Sequence, residues 1–456
     1  MTRNRNIDLT EGSITGSMLL FALPMVLGNL LQQCYNLADT FIVGRCLGPE
    51  ALAAVGSSYS LMTFLLSLVI GLCMGSSTLF SMRFGNGDME GQKKSAFTSF
   101  VLIGAVTVLV TAAISVFIDP VIRMLNVPRE VYGEMKEYLV IICAGIPFTF
   151  LYNFYAYLLR SIGDSVSPLW FLGVSVVLNI GLDLAFILGL GMGTDGAALA
   201  TVISQAASAA ALIWWTKKKY PWLSIRKDEM HTDMQQVREI SVYSVLTCLQ
   251  QSVMNFGILM VQGLVNSFGT AVMAAFATAV KIDAFAYMPL QEFGNAFSTF
   301  IAQNYGAGRQ ERIRRGIRSA AIAVTVFSIA ISAATVLLAP YLMSIFVGKE
   351  EEEVIRTGTV YLRIEGSFYL GIGFLFMLYG LFRATGRPAF SLVLTVISLG
   401  LRVLISYIAA PSYGVEWIWW AIPAGWLAAD ITGFLRYRMR RPGHDGGTGA
   451  GIERGL

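Results

Sequence analysis

Acidic side chains within long apolar stretches are the groups of this sequence that could do chemistry. Asp39 lies towards the far end of an apolar stretch that starts near residue 16 and has Pro24 in its interior. An ionised carboxylate in hydrocarbon costs about 3 kcal/mol or more, so such a residue usually faces a cavity or a partner. Pro24 removes a backbone hydrogen bond and favours a bend. The stretch suits a device that couples proton or cation binding to a change of shape; the structural alternative is a lipid-facing kink with a statically bonded Asp39.

A second group of charges lies in the C-terminal half of the chain. Lys281 and Asp283 are two residues apart in an apolar stretch, so they point to different helix faces and do not simply pair with each other. We expect them to line a central cavity, where Asp283 attracts a cationic substrate and Lys281 exchanges partners; a structural salt bridge between helices is the alternative. Glu292 and Arg402 are candidates of the same kind, Arg402 as a counter-ion or as a structural cation. An adaptable aromatic and sulfur surface for mixed substrates is expected from Tyr35, Tyr287 and Met288.

Membrane-spanning helices are the elements that must position these charges. Hydrophobic residues make up 55% of the chain and charged residues only 14%. Apolar runs of about 20 residues, the length that spans hydrocarbon, recur along the whole chain. The sequence predicts an all-α membrane protein with twelve transmembrane helices, at residues 16–43, 51–81, 95–118, 138–160, 168–190, 195–215, 240–266, 271–303, 317–339, 360–382, 388–409 and 415–437.

Basic residues set the orientation of these helices. With the N-terminus inside, the inner segments hold 24 Lys and Arg residues and the outer segments hold 7, while Lys281 and Arg402 fall inside spans. This bias predicts a multi-pass membrane protein with both termini in the cytoplasm. The net charge of +4 is then a topological signal, so we expect no nucleic-acid partner. We expect small-molecule substrates and membrane lipid as partners, no obligate protein partner, and a monomer.

Metal, cofactor and enzymatic chemistry find no support in the sequence. The 5 Cys residues are scattered without CxxC spacing, and the 2 His residues lie outside the spans, at His231 and His444. This excludes a buried His relay and a His-ligated metal. The sequence contains no HExxH motif, no Walker motif and no convincing Ser/His pair. We therefore expect neither an enzyme nor a cofactor, and no metal beyond Na⁺ at a coupling site.

The chain consists of two halves that repeat. Gly85-Asn-Gly87 after the second span matches Gly306-Ala-Gly308 after the eighth, with a shift of 221 positions. An even number of spans gives both halves the same orientation, which is the plan of many secondary transporters. The predicted domains are a cytoplasmic N-terminal tail (1–15), an N-lobe of six spans (16–215), a cytoplasmic inter-lobe loop (216–239), a C-lobe of six spans (240–437) and a disordered cytoplasmic tail (438–456).

Three motifs carry a resemblance to a known family. They are Pro24…Asp39-Thr-Phe-Ile-Val-Gly44, Asn179-Ile-Gly-Leu-Asp183 followed by Gly196-Ala-Ala-Leu-Ala-Thr201, and Ala302-Gln-Asn-Tyr-Gly-Ala-Gly308. Over nearly its whole length the sequence resembles the multidrug and toxic compound extrusion (MATE) transporters, and it looks most like the bacterial DinF-like and related branches. The resemblance implies two pseudo-symmetric six-helix bundles in a V, alternating access, and antiport of amphipathic, often cationic, compounds against H⁺ or Na⁺.

The resemblance also implies a coupling site in the N-lobe, at Asp39, Asn179, Asp183 and Thr201. Helix geometry is compatible with this, because Asn179 and Asp183 are four residues apart and share one helix face. At 1.5 Å per residue, all four residues fall in the outer half of the N-lobe. Two carboxylates, an amide oxygen and a hydroxyl suit a proton shared between acids and also suit Na⁺. Protonation of Asp39 would let the first helix bend at Pro24; a static cluster that only packs the lobe is the alternative.

The C-lobe has no matching site in the sequence. The counterpart of Asp39 falls within residues 257–260, which contain no acid, and we expect Glu365 to lie too near the outer end of its span to serve. A flippase for a lipid-linked or other endogenous amphiphile shares the superfamily plan and is the alternative function. Such a flippase would need several cations in its cavity for a pyrophosphate. Only Lys281 and Arg402 are available, which favours cationic cargo.

Overall fold

Helices make up nearly all of the structure, a computed structural model that describes residues 8–124, 129–224, 233–348 and 350–439. Helices are expected in hydrocarbon because they satisfy every backbone polar group within the segment. Fourteen α-helices occur in the described ranges: α1 (Ile14–Cys46), α2 (Pro49–Gly85), α3 (Met89–Val116), α4 (Ile118–Met124), α5 (Arg129–Ser161), α6 (Val166–Leu184), α7 (Thr194–Lys219), α8 (Met234–Asn266), α9 (Thr270–Gly306), α10 (Gln310–Phe346), α11 (Glu352–Gly366), α12 (Tyr369–Ala384), α13 (Pro388–Tyr413) and α14 (Glu416–Met439).

The helix lengths confirm the predicted all-helical membrane architecture. Among the described residues, 11 helices are long and apolar enough to cross a membrane, and the count reaches 12 when the bent pair α11–α12 is one span. Most helices extend beyond the predicted spans; α10, for example, covers 37 residues. The predicted tail 438–456 falls almost entirely outside the described residues, as does the middle of the predicted loop 216–239.

The tenth span differs from the prediction, because it is broken into two helices. The sequence suggested one helix at 360–382, whereas α11 ends at Gly366 and α12 begins at Tyr369, with a bend of 51° between them. The adjacent Gly366 and Ser367 explain the bend, since Gly/Ser pairs are a recurrent cause of kinks. The hydroxyl of Ser367 donates to the carbonyl of Arg363 at 2.6 Å, which competes with the regular helical bonds.

The chain divides into two compact units, and two helices change unit along their length. The first unit contains Leu23–Cys248, and the second contains Leu9–Ala22 with the chain from Leu249 onward. The first turns of α1 therefore belong to the second unit, and the first half of α8, up to Cys248, belongs to the first unit. The six-and-six domain ranges given above stay a prediction.

Aromatic and small residues shape the interior of each unit. In the first unit, Phe154 packs edge-on against Phe80 and Phe100, with ring centroids 6.2 and 5.3 Å apart. In the second unit, the buried Trp419 stacks on Phe276 at 5.3 Å between centroids. Such offset and edge-on pairs stabilise an interior by about 1 kcal/mol beyond the area they bury.

Candidate cation-coupling site

Three helices of the first unit supply the four residues implied for coupling. Asp39 lies about two turns before the end of α1. Asn179 and Asp183 are both buried on the last turns of α6, and Thr201 lies on the second turn of α7. The helical spacing of four residues places Asn179 and Asp183 on one face. The structure brings these α6 side chains together with Thr201.

Hydrogen bonds connect this cluster. With the Asn179 amide oriented so that both of its polar atoms have suitable partners, its nitrogen donates to Oδ2 of Asp183 at 2.9 Å. Its oxygen accepts from the backbone N–H of Thr201 at 3.2 Å. The hydroxyl of Thr201 is bonded to the hydroxyl of Tyr35 at 3.1 Å. The amide oxygen and the threonine hydroxyl therefore already have hydrogen-bond partners.

Two carboxylate oxygens of the site lack such partners. Oδ1 of Asp39 and Oδ1 of Asp183 are buried and accept no hydrogen bond from the residues that the structure describes. The two acids are close enough to interact electrostatically with each other. A buried, unbonded carboxylate oxygen is costly unless a proton or a cation neutralises it.

Two tyrosines complete the site, and neither was assigned to it from the sequence. Tyr35, which we expected in the substrate cavity, contacts Thr201 and lies within electrostatic reach of Asp39. Its spacing of four residues from Asp39 was a usable signal. Tyr138 of α5 is buried and also lies within reach of Asp39 and Asp183. No spacing rule points to Tyr138, because it comes from a helix without other site residues.

A π-helical turn follows Asp183 directly. Residues Ala185–Gly189 form this turn, and the N–H of Leu190 donates to the carbonyl of Ala185 at 3.0 Å. Single π-helical turns inside helices are rare and frequently mark functional sites. Gly191, with φ of 66°, then allows the chain to reverse into α7. The turn thus sets where Asp183 lies relative to α7.

The charges of the eighth span lie in different surroundings. Asp283 is buried in the second unit and accepts a hydrogen bond of 2.6 Å from the hydroxyl of Tyr369. Its carboxylate also interacts with the side chain of Glu365 and with the charge of Arg402. Lys281 is exposed on the other side of α9. Asp283 therefore belongs to a buried cluster on four helices, and the exchange of partners by Lys281 stays a prediction.

The position expected for Glu365 was wrong. We expected it near the outer end of a span that starts at residue 360, but α11 begins at Glu352 and Glu365 occupies its last turn. Glu365 is therefore buried at the break of the tenth span, beside Asp283. The remaining residues expected in the cavity, Tyr287, Met288 and Glu292, are half-buried along α9.

A buried network at the opposite end of α6 holds the helices of the site in register. Oδ2 of Asp164 accepts from Nζ of Lys219 at 2.8 Å and from the hydroxyls of Tyr220 and Ser167 at 2.7 and 2.6 Å. Oδ1 accepts from the backbone N–H of Ser167 at 2.9 Å. Burial raises the pKa of Asp164, but these hydrogen bonds outweigh it and hold the pKa below its usual 3.8. The network joins the start of α6 to the end of α7.

These features define a class of protein: a helical membrane transporter whose candidate ion site is made of oxygen donors only. A family model described as MatE matches the chain twice, at residues 24–185 and 243–408, which together cover more than two thirds of it. The chain therefore belongs to the MatE family and is a MATE-type multidrug efflux transporter, not an enzyme. The double match also agrees with the repeat found in the sequence.

Individual relatives cover almost the whole chain. It is 30% identical over 436 residues to the probable multidrug resistance protein YpnP of Bacillus subtilis, covering 95% of this chain and 97% of that protein. It is 24% identical to the FAD transporter of Shewanella oneidensis, covering 95% and 97% of the two chains. A solved structure described as the outward-facing conformation of a multidrug resistance MATE family transporter superimposes with a TM-score of 0.90 at 26% identity, covering 96% and 98%.

Proposed function

We propose that this transporter exports amphipathic, cationic compounds in exchange for protons that bind at Asp39 and Asp183. The observation that carries the proposal is the pair of buried carboxylate oxygens without hydrogen-bond partners among the described residues. A proton needs only one such oxygen, whereas Na⁺ is coordinated by several oxygens at once. The amide oxygen of Asn179 and the hydroxyl of Thr201 already have partners, which favours H⁺ over Na⁺.

The coupling step follows from charge and from the shape of α1. With both acids ionised, Asp39 and Asp183 repel each other, and protonation of either removes that repulsion. Pro24 lies in the same helix as Asp39, and it leaves the carbonyl one turn earlier without its helical hydrogen bond. Proton binding at Asp39 would therefore shift the balance between two shapes of α1, and a substrate that binds only one of these shapes would be exchanged for the proton.

The charges of the second unit support a cationic or neutral cargo. Arg402 already lies beside Asp283 and Glu365, so its charge is offset by two carboxylates. Of the two cations that lie away from the ends of the predicted spans, Lys281 and Arg402, only Lys281 is exposed. A pyrophosphate-bearing lipid would need more positive charge than this. The same reasoning disfavours a large anionic cofactor such as the one named for the Shewanella relative.

The placement in the cell is part of this proposal. The excess of Lys and Arg in the segments predicted to lie inside supports cytoplasmic termini. The bacterial relatives support a bacterial cytoplasmic membrane. We expect the transporter to act as a monomer, with membrane lipid as its surroundings.

Transport by purified protein in liposomes tests the proposal. Efflux of a fluorescent cationic dye would be driven by an imposed proton gradient or an imposed Na⁺ gradient, in wild type, Asp39→Asn and Asp183→Asn. Asp195→Asn is the matched control, since Asp195 lies on the first turn of α7, outside the cluster. We expect proton-driven efflux in wild type and control, with a loss of about tenfold or more in both site variants. Efflux driven only by a Na⁺ gradient would make Na⁺ the coupling ion in place of H⁺. Efflux that is unaffected by Asp39→Asn would refute the proposed coupling site. Movement of an anionic lipid probe instead of the dye would support the flippase.

A further inference from the structure

The first helix of each repeat begins in one unit and continues in the other. For α1 the boundary falls between Ala22 and Leu23, immediately before Pro24. For α8 it falls between Cys248 and Leu249. The start of α1 is therefore anchored within the second unit, and the start of α8 within the first unit.

Two arginines, Arg309 and Arg312, bind the chain that leads into α1, and Nη1 of Arg309 donates to the carbonyl of Thr10. Arg312, on the first turn of α10, donates hydrogen bonds to the carbonyl oxygens of three residues in the segment Leu9–Gly12, which we call the N-terminal arm. Nε donates to Leu9 at 3.2 Å, Nη2 donates to Glu11 at 2.5 Å, and Nη1 donates to Gly12 at 2.8 Å. Only a guanidinium has the fixed fork of donors that can reach three carbonyls at once. The arm is therefore bound through its backbone carbonyl oxygens.

Asn304, at the end of α9, also binds the arm. Its side chain is fully buried, and Nδ2 donates to the carbonyl of Leu9 at 3.0 Å and to the carbonyl of Phe300 at 2.8 Å. Leu9 itself is fully buried. Asn304 belongs to the Ala302–Gly308 motif, one of the three motifs that carry the family resemblance. The motif thus has a further role, which is to hold the start of the chain against the end of α9.

The guanidinium of Arg312 also packs on an aromatic ring of α9. It lies over the ring of Phe300, 5.5 Å from the centroid, in a cation–π arrangement. Phe300 can lie there because residue 316 is glycine: a Cβ at Gly316 would come within 2.3 Å of the phenyl ring. A cation that is held in position loses little entropy when it binds its partners.

The same position of the other repeat fastens α8. Arg83 stands 221 residues before Asn304, the shift that relates the two glycine turns. Its Nη2 donates to Glu239, on the second turn of α8, at 2.7 Å, and its Nη1 donates to the carbonyl of Gly91 at 2.7 Å. Ser76 and Ser244 add a hydrogen bond of 2.8 Å between α2 and α8. Each repeat therefore uses the end of its second helix to bind the start of the other repeat's first helix.

We propose that Asn304 and Arg312 are positioning residues for transport, which fix the inner end of α1 through the N-terminal arm, and that Arg83 with Glu239 does the same for α8. This inference rests on the proposed export function. A fixed inner end matters because Pro24 and Asp39 lie further along α1. When α1 changes its bend at Pro24, a fastened start converts that change into displacement of the part that carries Asp39. With the arm released, the start of α1 would move instead, and proton binding would drive transport less effectively.

Hydrogen exchange tests the anchor separately from transport. The backbone amides of the N-terminal arm would be followed by mass spectrometry in wild type, Arg312→Ala, Arg312→Lys and the control Arg315→Ala. Arg315 lies one turn later, is exposed and pairs with Glu311 at 2.8 Å. We expect arm exchange to rise about tenfold or more in Arg312→Ala, to be only partly restored in Arg312→Lys, and to stay at the wild-type level in the control.

Transport then tests the positioning role. Arg312→Ala should lower the maximal rate of proton-driven dye efflux about fivefold or more, while the pH midpoint set at Asp39 stays that of wild type. Deletion of residues 2–12 should lower the rate at least as much, and Arg312→Ala should have no further effect in the deletion variant, because the deletion already removes the carbonyls that Arg312 binds. Unchanged arm exchange in Arg312→Ala would overturn the anchor, and raised exchange with a normal rate would overturn its positioning role. If wild type shows no proton-driven efflux, the proposed function fails, but the exchange result still decides the anchor.

Discussion

Replacement of Asp164 by asparagine should destabilise the first unit by about 3 kcal/mol. Asp164 is 4% exposed and accepts four hydrogen bonds, one of them from the ammonium of Lys219. Removal of one partner of a buried ion pair costs about 3–5 kcal/mol. The Lys219 side chain is 24% exposed and can be partly rehydrated, which places the loss at the lower end of that range.

Unfolding titrations in SDS measure this loss directly. Asp88→Asn is the matched control: Asp88 is an exposed carboxylate that accepts from the backbone N–H of Gly91 at 2.8 Å at the start of α3. Loss of such a charge with the acceptor retained should cost less than about 1 kcal/mol. A loss below 1 kcal/mol for Asp164→Asn as well would refute the claim that the Asp164 network joins α6 to α7.

The pH dependence of the same variant tests whether the ionised carboxylate of Asp164 stabilises the fold. Because the pKa of Asp164 in the folded protein lies below its usual 3.8, the carboxylate stabilises the fold fully above about pH 4. This contribution is lost as the pH falls through the folded pKa. The difference in unfolding free energy between wild type and Asp164→Asn should therefore be constant from pH 5 to 8 and shrink below about pH 4. A difference that grows on acidification would contradict the argument.

Two further substitutions test close packing and the buried acid of the second unit. Gly75→Ala should destabilise the protein by about 2 kcal/mol or prevent folding, because a Cβ would lie 2.4 Å from a carbonyl of α8. Its control is Gly56→Ala, where no atom lies within 4 Å of the added Cβ, and this change should be neutral or stabilising by up to about 1 kcal/mol. Both are measured by SDS titration. Tyr369→Phe should cost about 2 kcal/mol in the same assay, since it leaves the Asp283 carboxylate without its 2.6 Å donor, whereas Tyr413→Phe at an exposed site should change stability by less than 0.5 kcal/mol. Equal effects within either pair would contradict the packing or the hydrogen bond.

The sequence predicted those parts of the protein that depend on helical spacing and hydrophobicity. Apolar runs were enough for the spans because the bilayer dictates both helix formation and helix length. The spacing of Asn179 and Asp183 placed them on one face, and Asp39 stood out as an acid within an apolar stretch. The family resemblance then grouped these three residues with Thr201. The structure brings the α6 pair to Thr201, with Asp39 in electrostatic reach of Asp183.

The parts that could not be predicted depend on contacts between distant segments. The break after Gly366 moves Glu365 from a presumed outer end to the side of Asp283, and a hydropathy profile cannot detect a bend within an apolar run. Tyr138 reaches the site from a separate helix. The N-terminal arm is bound through backbone carbonyls by Arg312, so its own side chains carried no signal.

Proton release on substrate binding is the most direct test of the central claim, which is that Asp39 and Asp183 exchange protons for substrate. Purified protein in weakly buffered detergent with a pH indicator would be mixed with a saturating cationic dye, for wild type, Asp39→Asn and the control Asp195→Asn. The account predicts release of about one proton per dye bound by wild type and control, and none by Asp39→Asn. Equal proton release from wild type and Asp39→Asn, or dye binding by wild type without proton release, would contradict it.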